Sequence, residues 1–163
     1  MSLTVNDDIV VNFTVVSEVS AAIVKAGKQG ADKNRAGAES GGVVNNSSSS
    51  NPLPGYHLVD TRTEMEYAAG SIPAAIGFHW KNLFKEDGNL LHFPAVQAKF
   101  VSAGLNYTTD PQVGVVLYCA KGVRAAFMYM YLHHMGGNLL KLYPGSYAEW
   151  QALGGLTITH YHE

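Results

Sequence analysis

Short apolar runs that alternate with helix-like patterns organise the chain. The clearest apolar run is VGVVLY at residues 113–118. A continuous run of this length is typical of a strand that is buried on both faces of a sheet. Residues 123–135 are apolar or aromatic at nearly every position, which predicts a buried helix directly after that strand. Cys119, the single cysteine of the chain, lies between them at the predicted carboxyl end of the strand.

Further elements are predicted on either side of this pair. Strand-like runs occur at residues 9–13, 56–60, 75–78 and 138–143, and helical patterns occur at residues 14–26, 63–69, 94–104 and 147–153, with a helical turn at 80–84. Thr14 is a predicted helix cap, and Thr63 with Glu66 has the spacing of a capping box. The predicted core positions of the later helices are Val96, Phe100, Val101 and Trp150. This alternation favours an α/β fold: a mostly parallel sheet of about five strands, with right-handed crossovers and helices on both faces.

Residues 26–55 differ in composition from the rest of the chain. They hold six glycines, the serine run at residues 47–50 and no aromatic residue. Such a segment buries little apolar surface, so a flexible insertion that acts as a spacer is expected, with an ordered surface insertion as the alternative. Length and composition favour a single domain at residues 1–155 that contains this insertion, followed by a carboxyl-terminal tail at 156–163.

Composition and charge exclude several classes of function. A net charge of -2 and a pI near 6.4 give no general attraction for nucleic acid or for an anionic membrane. No apolar run is long enough to span a bilayer, and the first residues lack the layout of a secretion signal. One cysteine allows no internal disulfide, so a cytoplasmic location is favoured. The histidines show no ligand spacing, and neither a metal nor another cofactor is expected.

The candidate chemistry lies in the loop at residues 119–124. Open α/β sheets place reacting groups at the carboxyl ends of their strands, and a cysteine before a helix faces free N–H groups and the positive end of the helix dipole. Lys121 and Arg124 add positive charge, and Gly122 allows the loop to fold back toward the sulfur. These groups are expected to lower the pKa of the Cys119 thiol and to make it a nucleophile.

Three motifs carry a family resemblance. The loop Cys119-Ala120-Lys121-Gly122-Val123-Arg124 fits the pattern CxxGxR. LVDTRTEMEYAAGSIPAA at residues 58–75 is similar to a DxR motif followed by EY and GHIPGA, and LYPGSYAEW at residues 142–150 is similar to a closing motif. These are the landmarks of rhodanese-like sulfurtransferases. The chain most resembles the catalytic carboxyl-terminal domain of two-domain thiosulfate and 3-mercaptopyruvate sulfurtransferases, over residues 9–153 without the insertion.

The resemblance implies a rhodanese-like fold and a double-displacement sulfur transfer. Cys119 is then the catalytic nucleophile, which takes sulfur from a donor, holds it as a persulfide and passes it to cyanide, a thiol or a protein thiol. The other loop residues are implied to bind the anion or persulfide: Ala120, Lys121, Gly122, Val123 and Arg124. A lysine two places after the cysteine accompanies thiosulfate use in the family, so Lys121 favours thiosulfate or another anionic donor. A second rhodanese domain is an expected partner if the chain is a fragment.

Asp60, Arg62 and Glu66 are candidate supporting residues. Asp60 either orients the active loop or caps a turn, and Arg62 either binds substrate or serves the structure. Two-domain thiosulfate enzymes tend to have an arginine where this chain has Glu66, and a threonine where it has Arg124. This double difference suggests that Glu66 pairs with Arg124 across the mouth of the pocket, although the capping box alone also explains Glu66.

Two other functions stay open at this point. A phosphatase or arsenate reductase of similar fold has a CxxxxxR loop, which is one residue longer and encloses a tetrahedral anion rather than a sulfur atom. A sulfur-carrier or regulatory module keeps the cysteine but acts through a protein partner. The length of the loop favours the sulfurtransferase over the phosphatase.

Overall fold

The computed structural model describes residues 9–32 and 51–160, with side chains for 9–28 and 51–160. Its helices are α1 (Phe13–Asp32), α2 (Glu64–Ala69), α3 (Phe93–Ser102), α4 (Val123–His134) and α5 (Ser146–Ala152). Its strands are β1 (Tyr56–Asp60), β2 (Ile76–Gly77), β3 (Gly114–Tyr118) and β4 (Leu140–Leu142). Two short 3-10 helices are Trp80–Leu83, at the predicted helical turn, and Asn106–Thr108, which was not predicted. No described helix has the length and apolar character needed to cross a membrane.

The four strands form one parallel sheet in the order β2-β1-β3-β4. The α/β class is confirmed, but the expected count of about five strands is wrong for the described part of the chain. Of the predicted strand at residues 9–13, only Val10 forms a bridge, parallel to Leu142. The chain turns into α1 directly afterwards, so this edge is held by two backbone hydrogen bonds, from Val11 N–H to the Leu142 carbonyl and from Leu142 N–H to the Ile9 carbonyl.

Asn12, not the predicted Thr14, caps the amino end of α1. Its Oδ1 accepts a hydrogen bond from the Val15 N–H at 3.1 Å. Asparagine is among the best N-cap residues because this short side chain satisfies a helix N–H that has no partner in the first turn.

The carboxyl end of α1 lies beyond the predicted helix boundary. The helix continues to Asp32, so the prediction of a loop is wrong for residues 26–32. Alanine, lysine and glutamine in this stretch favour helix, and they outweigh its two glycines. Residues 33–50 of the predicted insertion lie outside the described residues, and residues 51–55 form bends and a turn before β1.

Each face of the sheet has its own apolar core. Val115 and Leu117 of β3 pack with the cluster that includes residues of α3 and α4, whereas Val116 and Tyr118 pack with α1 and α5. Successive side chains of a strand point to opposite faces, so a strand between two layers of helices is buried at every position. All five residues of β3 are buried, as the continuous apolar run predicted.

Two expectations about the helices need correction. Val96 and Phe100 of α3 are fully buried, but Val101 is 47% exposed, so its predicted inward position is wrong. Helix α4 is not buried all round: Met130 is exposed, although Met128 is buried. Both helices pack on the sheet through one face only. Trp150 on α5 is buried, as predicted.

Residues 156–160 run back along α2. Ile158 forms an antiparallel bridge with Ser71, with backbone hydrogen bonds of 2.8 and 3.0 Å. His160 stacks on Tyr67 with ring centroids 4.3 Å apart, and its Nε2 lies 2.9 Å from the Ser71 Oγ. This part of the predicted tail is therefore packed against the domain.

Candidate active site

Cys119 directly follows β3 and begins the loop that leads into α4. It is 1% exposed, and its Sγ accepts a hydrogen bond from the Gly122 N–H at 3.1 Å. Burial raises the pKa of the thiol, but backbone N–H groups outweigh this effect and lower the pKa below its ordinary value. These N–H groups belong to Ala125, Lys121, Arg124 and Gly122. The loop is therefore a cradle of N–H donors around the Cys119 sulfur, at the amino end of a helix, and it favours the thiolate form.

Gly122 allows this loop to close. Its φ is 92°, and a Cβ built on it would lie 2.7 Å from the Pro144 carbonyl oxygen. It is also the N-cap of α4, and its carbonyl accepts a hydrogen bond from the Ala126 N–H at 2.8 Å. A side chain at this position strains the backbone and displaces the loop from the segment that supports it.

Ser146 supports the loop and was not predicted from the sequence. It is fully buried with a φ of 54°, in the left-handed region. Its Oγ accepts a hydrogen bond from the Cys119 N–H at 3.2 Å and donates one to the Tyr143 carbonyl at 2.9 Å. The Tyr147 N–H donates to the Cys119 carbonyl at 3.0 Å. The only signal was the motif at residues 142–150, in which no charge or hydropathy pattern distinguishes the serine.

Replacement of Ser146 tests this support. Ser146→Ala removes the acceptor of a buried N–H group, and we expect the free energy of unfolding to fall by about 1–3 kcal/mol. Ser146→Gly loses the same hydrogen bonds but relieves the positive φ, so we expect it to be more stable than the alanine variant by about 1 kcal/mol. Urea unfolding followed by circular dichroism measures both. Equal stability of the two variants would show that the left-handed backbone carries no strain.

Arg124 and Glu66 form a bidentate ion pair, as the sequence suggested. Nη1 of Arg124 donates to Oε2 of Glu66 at 2.7 Å, and Nη2 donates to Oε1 at 2.8 Å. Glu66 also completes the capping box by accepting from the Thr63 N–H at 3.0 Å. Its hydrogen bonds with Arg124 are the main cause that lowers the pKa of Glu66 to about 2. The contribution of this carboxylate to stability is therefore complete above its ordinary pKa of 4.5 and is lost as the pH falls toward 2.

The guanidinium of Arg124 also interacts with the thiolate. Hydrogen bonds to Glu66 are the main cause that raises the pKa of Arg124. The charge of Cys119 and a hydrogen bond between Arg124 and Cys119 raise this pKa further.

Lys121 is exposed and lines a cavity of about 410 Å³ beside the loop, together with Ala120 and Glu66. Val123 is 78% exposed and is not among the residues that line this cavity. Among the described residues, no group of three or more His, Cys, Asp or Glu side chains is arranged to hold a metal.

Asp60 and Arg62 form a buried ion pair at the end of β1. Nε of Arg62 lies 3.0 Å from both carboxylate oxygens of Asp60, and Nη2 lies 2.6 Å from Oδ2. Nη2 also donates to the Gly70 carbonyl at 2.6 Å, and Cζ lies 3.8 Å from the centre of the Tyr147 ring. Asp60 is fully buried and Arg62 is 5% exposed. These contacts fit a structural role for Arg62, which joins β1 to the end of α2 and to α5.

Removal of one partner should reveal that role. Asp60→Ala leaves the guanidinium buried without its carboxylate, and we expect the free energy of unfolding to fall by about 3–5 kcal/mol. Asp60→Leu/Arg62→Met buries no unpaired charge and should recover much of this loss. Denaturant midpoints, compared at the same m value, provide the measurement. If the double variant were no more stable than Asp60→Ala, an unpaired charge would not be the cause.

The fold and the site together define an α/β domain whose single cysteine lies in a cradle of backbone N–H groups at the carboxyl edge of a parallel sheet. The family model described as Rhodanese-like domain matches residues 45–153, and the chain belongs to this family. It is 30% identical over 89 residues to the 3-mercaptopyruvate sulfurtransferase of Escherichia coli (strain K12). That match covers 55% of this chain and 30% of the relative.

Solved structures share this fold over nearly the whole chain. The wild-type structure of EanB matches with a TM-score of 0.66 at 16% identity, over 95% of this chain and 32% of that one. A structure of an EanB variant in complex with ergothioneine, covalently linked with a persulfide, also gives 0.66 at 16% identity, over 96% and 33%. The chain thus spans about a third of the length of these proteins.

Proposed function

We propose that the protein is a sulfurtransferase that forms a persulfide on Cys119. The donor is a small anion, with thiosulfate favoured, and the acceptor is cyanide, a thiol or a protein thiol. The observation that carries this proposal is the cradle, in which backbone N–H groups lower the pKa of a buried thiol. Membership of the rhodanese-like family, and a relative that is a sulfurtransferase, support the same class of reaction.

The first step is a displacement at sulfur. The Cys119 thiolate attacks the outer sulfur of thiosulfate, and a new S–S bond forms. The bond between the two sulfur atoms of thiosulfate breaks, and sulfite leaves with its electron pair. The N–H groups of the loop then stabilise the negative charge of the persulfide, because they are already oriented toward the sulfur and need no rearrangement.

The second step returns the enzyme to its starting form. An acceptor thiolate, or cyanide, attacks the outer sulfur of the persulfide. That sulfur leaves with the acceptor, and Cys119 departs as a thiolate, which the same N–H groups stabilise. Exposed Lys121 favours an anionic donor, since its charge attracts the sulfonate end of thiosulfate.

Sulfur uptake tests the proposal. We expect intact-protein mass spectrometry to show a gain of one sulfur atom after incubation with thiosulfate, and no gain for Cys119→Ser. Loss of that sulfur to cyanide or glutathione supports the enzyme. Retention until a specific protein is added favours a sulfur carrier, whereas no uptake together with hydrolysis of an aryl phosphate would replace the proposal with a phosphatase.

A further inference from the structure

A second cavity of about 840 Å³ shares no residue with the loop at 119–124. One wall is α1, from Phe13 to Lys28, and the other is the segment at residues 154–158. Pro73, Ala74 and Trp150 complete the lining. Volumes from about 300 to 1,000 Å³ are usual for sites that hold small molecules. This cavity, called the α1 groove below, is large enough for a ligand of its own.

The described lining of the α1 groove is mainly apolar, and its charged side chains are positive. Its apolar side chains include Phe13, Ala21, Val24, Trp150, Leu156 and Ile158. Leu156 is 80% exposed, so its apolar side chain is accessible to a ligand. Among the described residues, Lys25 and Lys28 are its charged residues, and no aspartate or glutamate contributes to the wall. Such a lining suits an apolar ligand that carries an anionic group.

The two kinds of residue lie at different ends of the groove. Phe13 is in the first turn of α1, and its ring contacts Trp150 with centroids 5.1 Å apart. Lys28 lies 15 residues further along the same helix, which at about 1.5 Å per residue corresponds to about 22 Å. The groove therefore runs from an aromatic end to a cationic end. Its ligand must be elongated and must have its charge at one terminus.

We propose that the α1 groove binds a linear anionic amphiphile, an alkyl chain with a terminal carboxylate or sulfate, as a free monomer. The tail lies against Phe13 and Trp150, and the anionic end reaches Lys25 and Lys28. Burial of the tail supplies most of the affinity, and the lysines select the sign of the head group. This site is independent of sulfur transfer at Cys119.

Trp150 offers a direct readout, because the chain holds only two tryptophans. Trp80→Phe leaves Trp150 as the single tryptophan, and excitation at the red edge of the tryptophan band avoids emission from the tyrosines. Dodecanoate, used below the concentration at which it forms micelles, is expected to change the emission of Trp150 in a saturable way. Dodecyltrimethylammonium, which has the same tail and the opposite charge, is expected to bind at least about tenfold more weakly.

Two pairs of variants in the Trp80→Phe background test the charge of the lysines and the free space in the groove separately. Lys25→Gln/Lys28→Gln should weaken dodecanoate binding by about fivefold, the size of effect expected for partly exposed ion pairs. Lys85→Gln/Lys99→Gln changes the net charge equally and should leave binding unchanged. Ala21→Phe fills the groove from an exposed position of α1 and should abolish binding, whereas Ala98→Phe on the exposed side of α3 should not.

Several results would overturn the proposal. One is the absence of a saturable emission change with dodecanoate. Another is equal binding of the cationic amphiphile, or an equal loss in the control lysine variant, since either would remove the role of Lys25 and Lys28. A response to anionic vesicles alone would indicate a membrane surface instead of a monomer. All of these readouts are independent of persulfide formation, so they do not depend on the proposed function.

Discussion

Gly122→Ala is expected to slow the uptake of sulfur from thiosulfate by at least about 100-fold, although the protein stays folded. The loss of one N–H donor to a developing negative charge typically costs this much in rate. The alanine Cβ meets the Pro144 carbonyl oxygen at 2.7 Å, and the φ of 92° is unfavourable for any residue with a Cβ. The backbone must move to relieve both, and the N–H that Gly122 donates to the Cys119 sulfur moves with it.

Gly136 provides the matched control for this prediction. Its φ is 83°, close to that of Gly122, but a Cβ added there has no atom within 4 Å. Gly136→Ala should therefore lose about 1 kcal/mol of stability and keep the rate of sulfur uptake of the parent protein. Mass spectrometry of uptake over time measures the rates, and circular dichroism verifies folding. A folded Gly122→Ala protein with an uptake rate within about threefold of the parent would contradict the role of this N–H.

The central part of the site could be predicted because its determinants are local in the chain. A continuous apolar run, one cysteine, a glycine and the start of a helix all lie within residues 113–124. Burial of every residue of β3 and the φ of Gly122 follow from this short stretch. The capping box of Thr63 and Glu66 is also a matter of spacing alone. Interactions of this kind depend on the backbone between neighbouring residues, so pattern and spacing describe them well.

The supports of the site are distant in the chain, and pattern did not identify them. Ser146 accepts the N–H of Cys119 across 27 positions of sequence. No hydropathy signal connects a buried serine at the start of α5 to a partner in the loop after β3. The pairing of Glu66 with Arg124, 58 positions apart, was suggested only because a cation and an anion were both unusual for the resembled family. Distant contacts therefore needed a chemical argument about two sites at once.

The edges of the fold were the least predictable part. Residues 9–13 have strand-like character, but whether such a run joins a sheet depends on what remains free at the edge. Here β4 is only three residues long, so it offers few backbone groups for pairing. Val10 forms one bridge to it, and Asn12 then caps the amino end of α1. Val101 is apolar but exposed, because it follows the buried Phe100 directly and therefore lies on a different face of α3. Its place on the helix decides its burial, and its own hydropathy does not.

Arg124→Gln and Glu66→Gln are expected to shift the pKa of Cys119 in opposite directions. Arg124→Gln removes a cation whose charge interacts with Cys119, so the thiol pKa should rise. A higher thiol pKa lowers the thiolate fraction at any pH below that pKa. Glu66→Gln removes the anion, keeps an oxygen that can accept from Thr63, and should lower the pKa. Stronger attraction for thiosulfate should accompany this change, because Arg124 is then no longer neutralised.

Alkylation measured against pH reports these shifts cleanly because the chain has one cysteine. The rate of reaction with iodoacetamide follows the thiolate fraction, so its midpoint gives the pKa of Cys119. The double variant should return close to the parent protein, since it removes one charge of each sign. Glu64→Gln, in the same first turn of α2 but without an ion pair to Arg124, serves as the control and should leave the midpoint unchanged. If both single variants raised the pKa, the ion pair would act only by holding the loop in shape. Opposite shifts would instead show that Glu66 partly neutralises Arg124. Glu66 would then determine how strongly the charge of Arg124 attracts the thiolate and the donor.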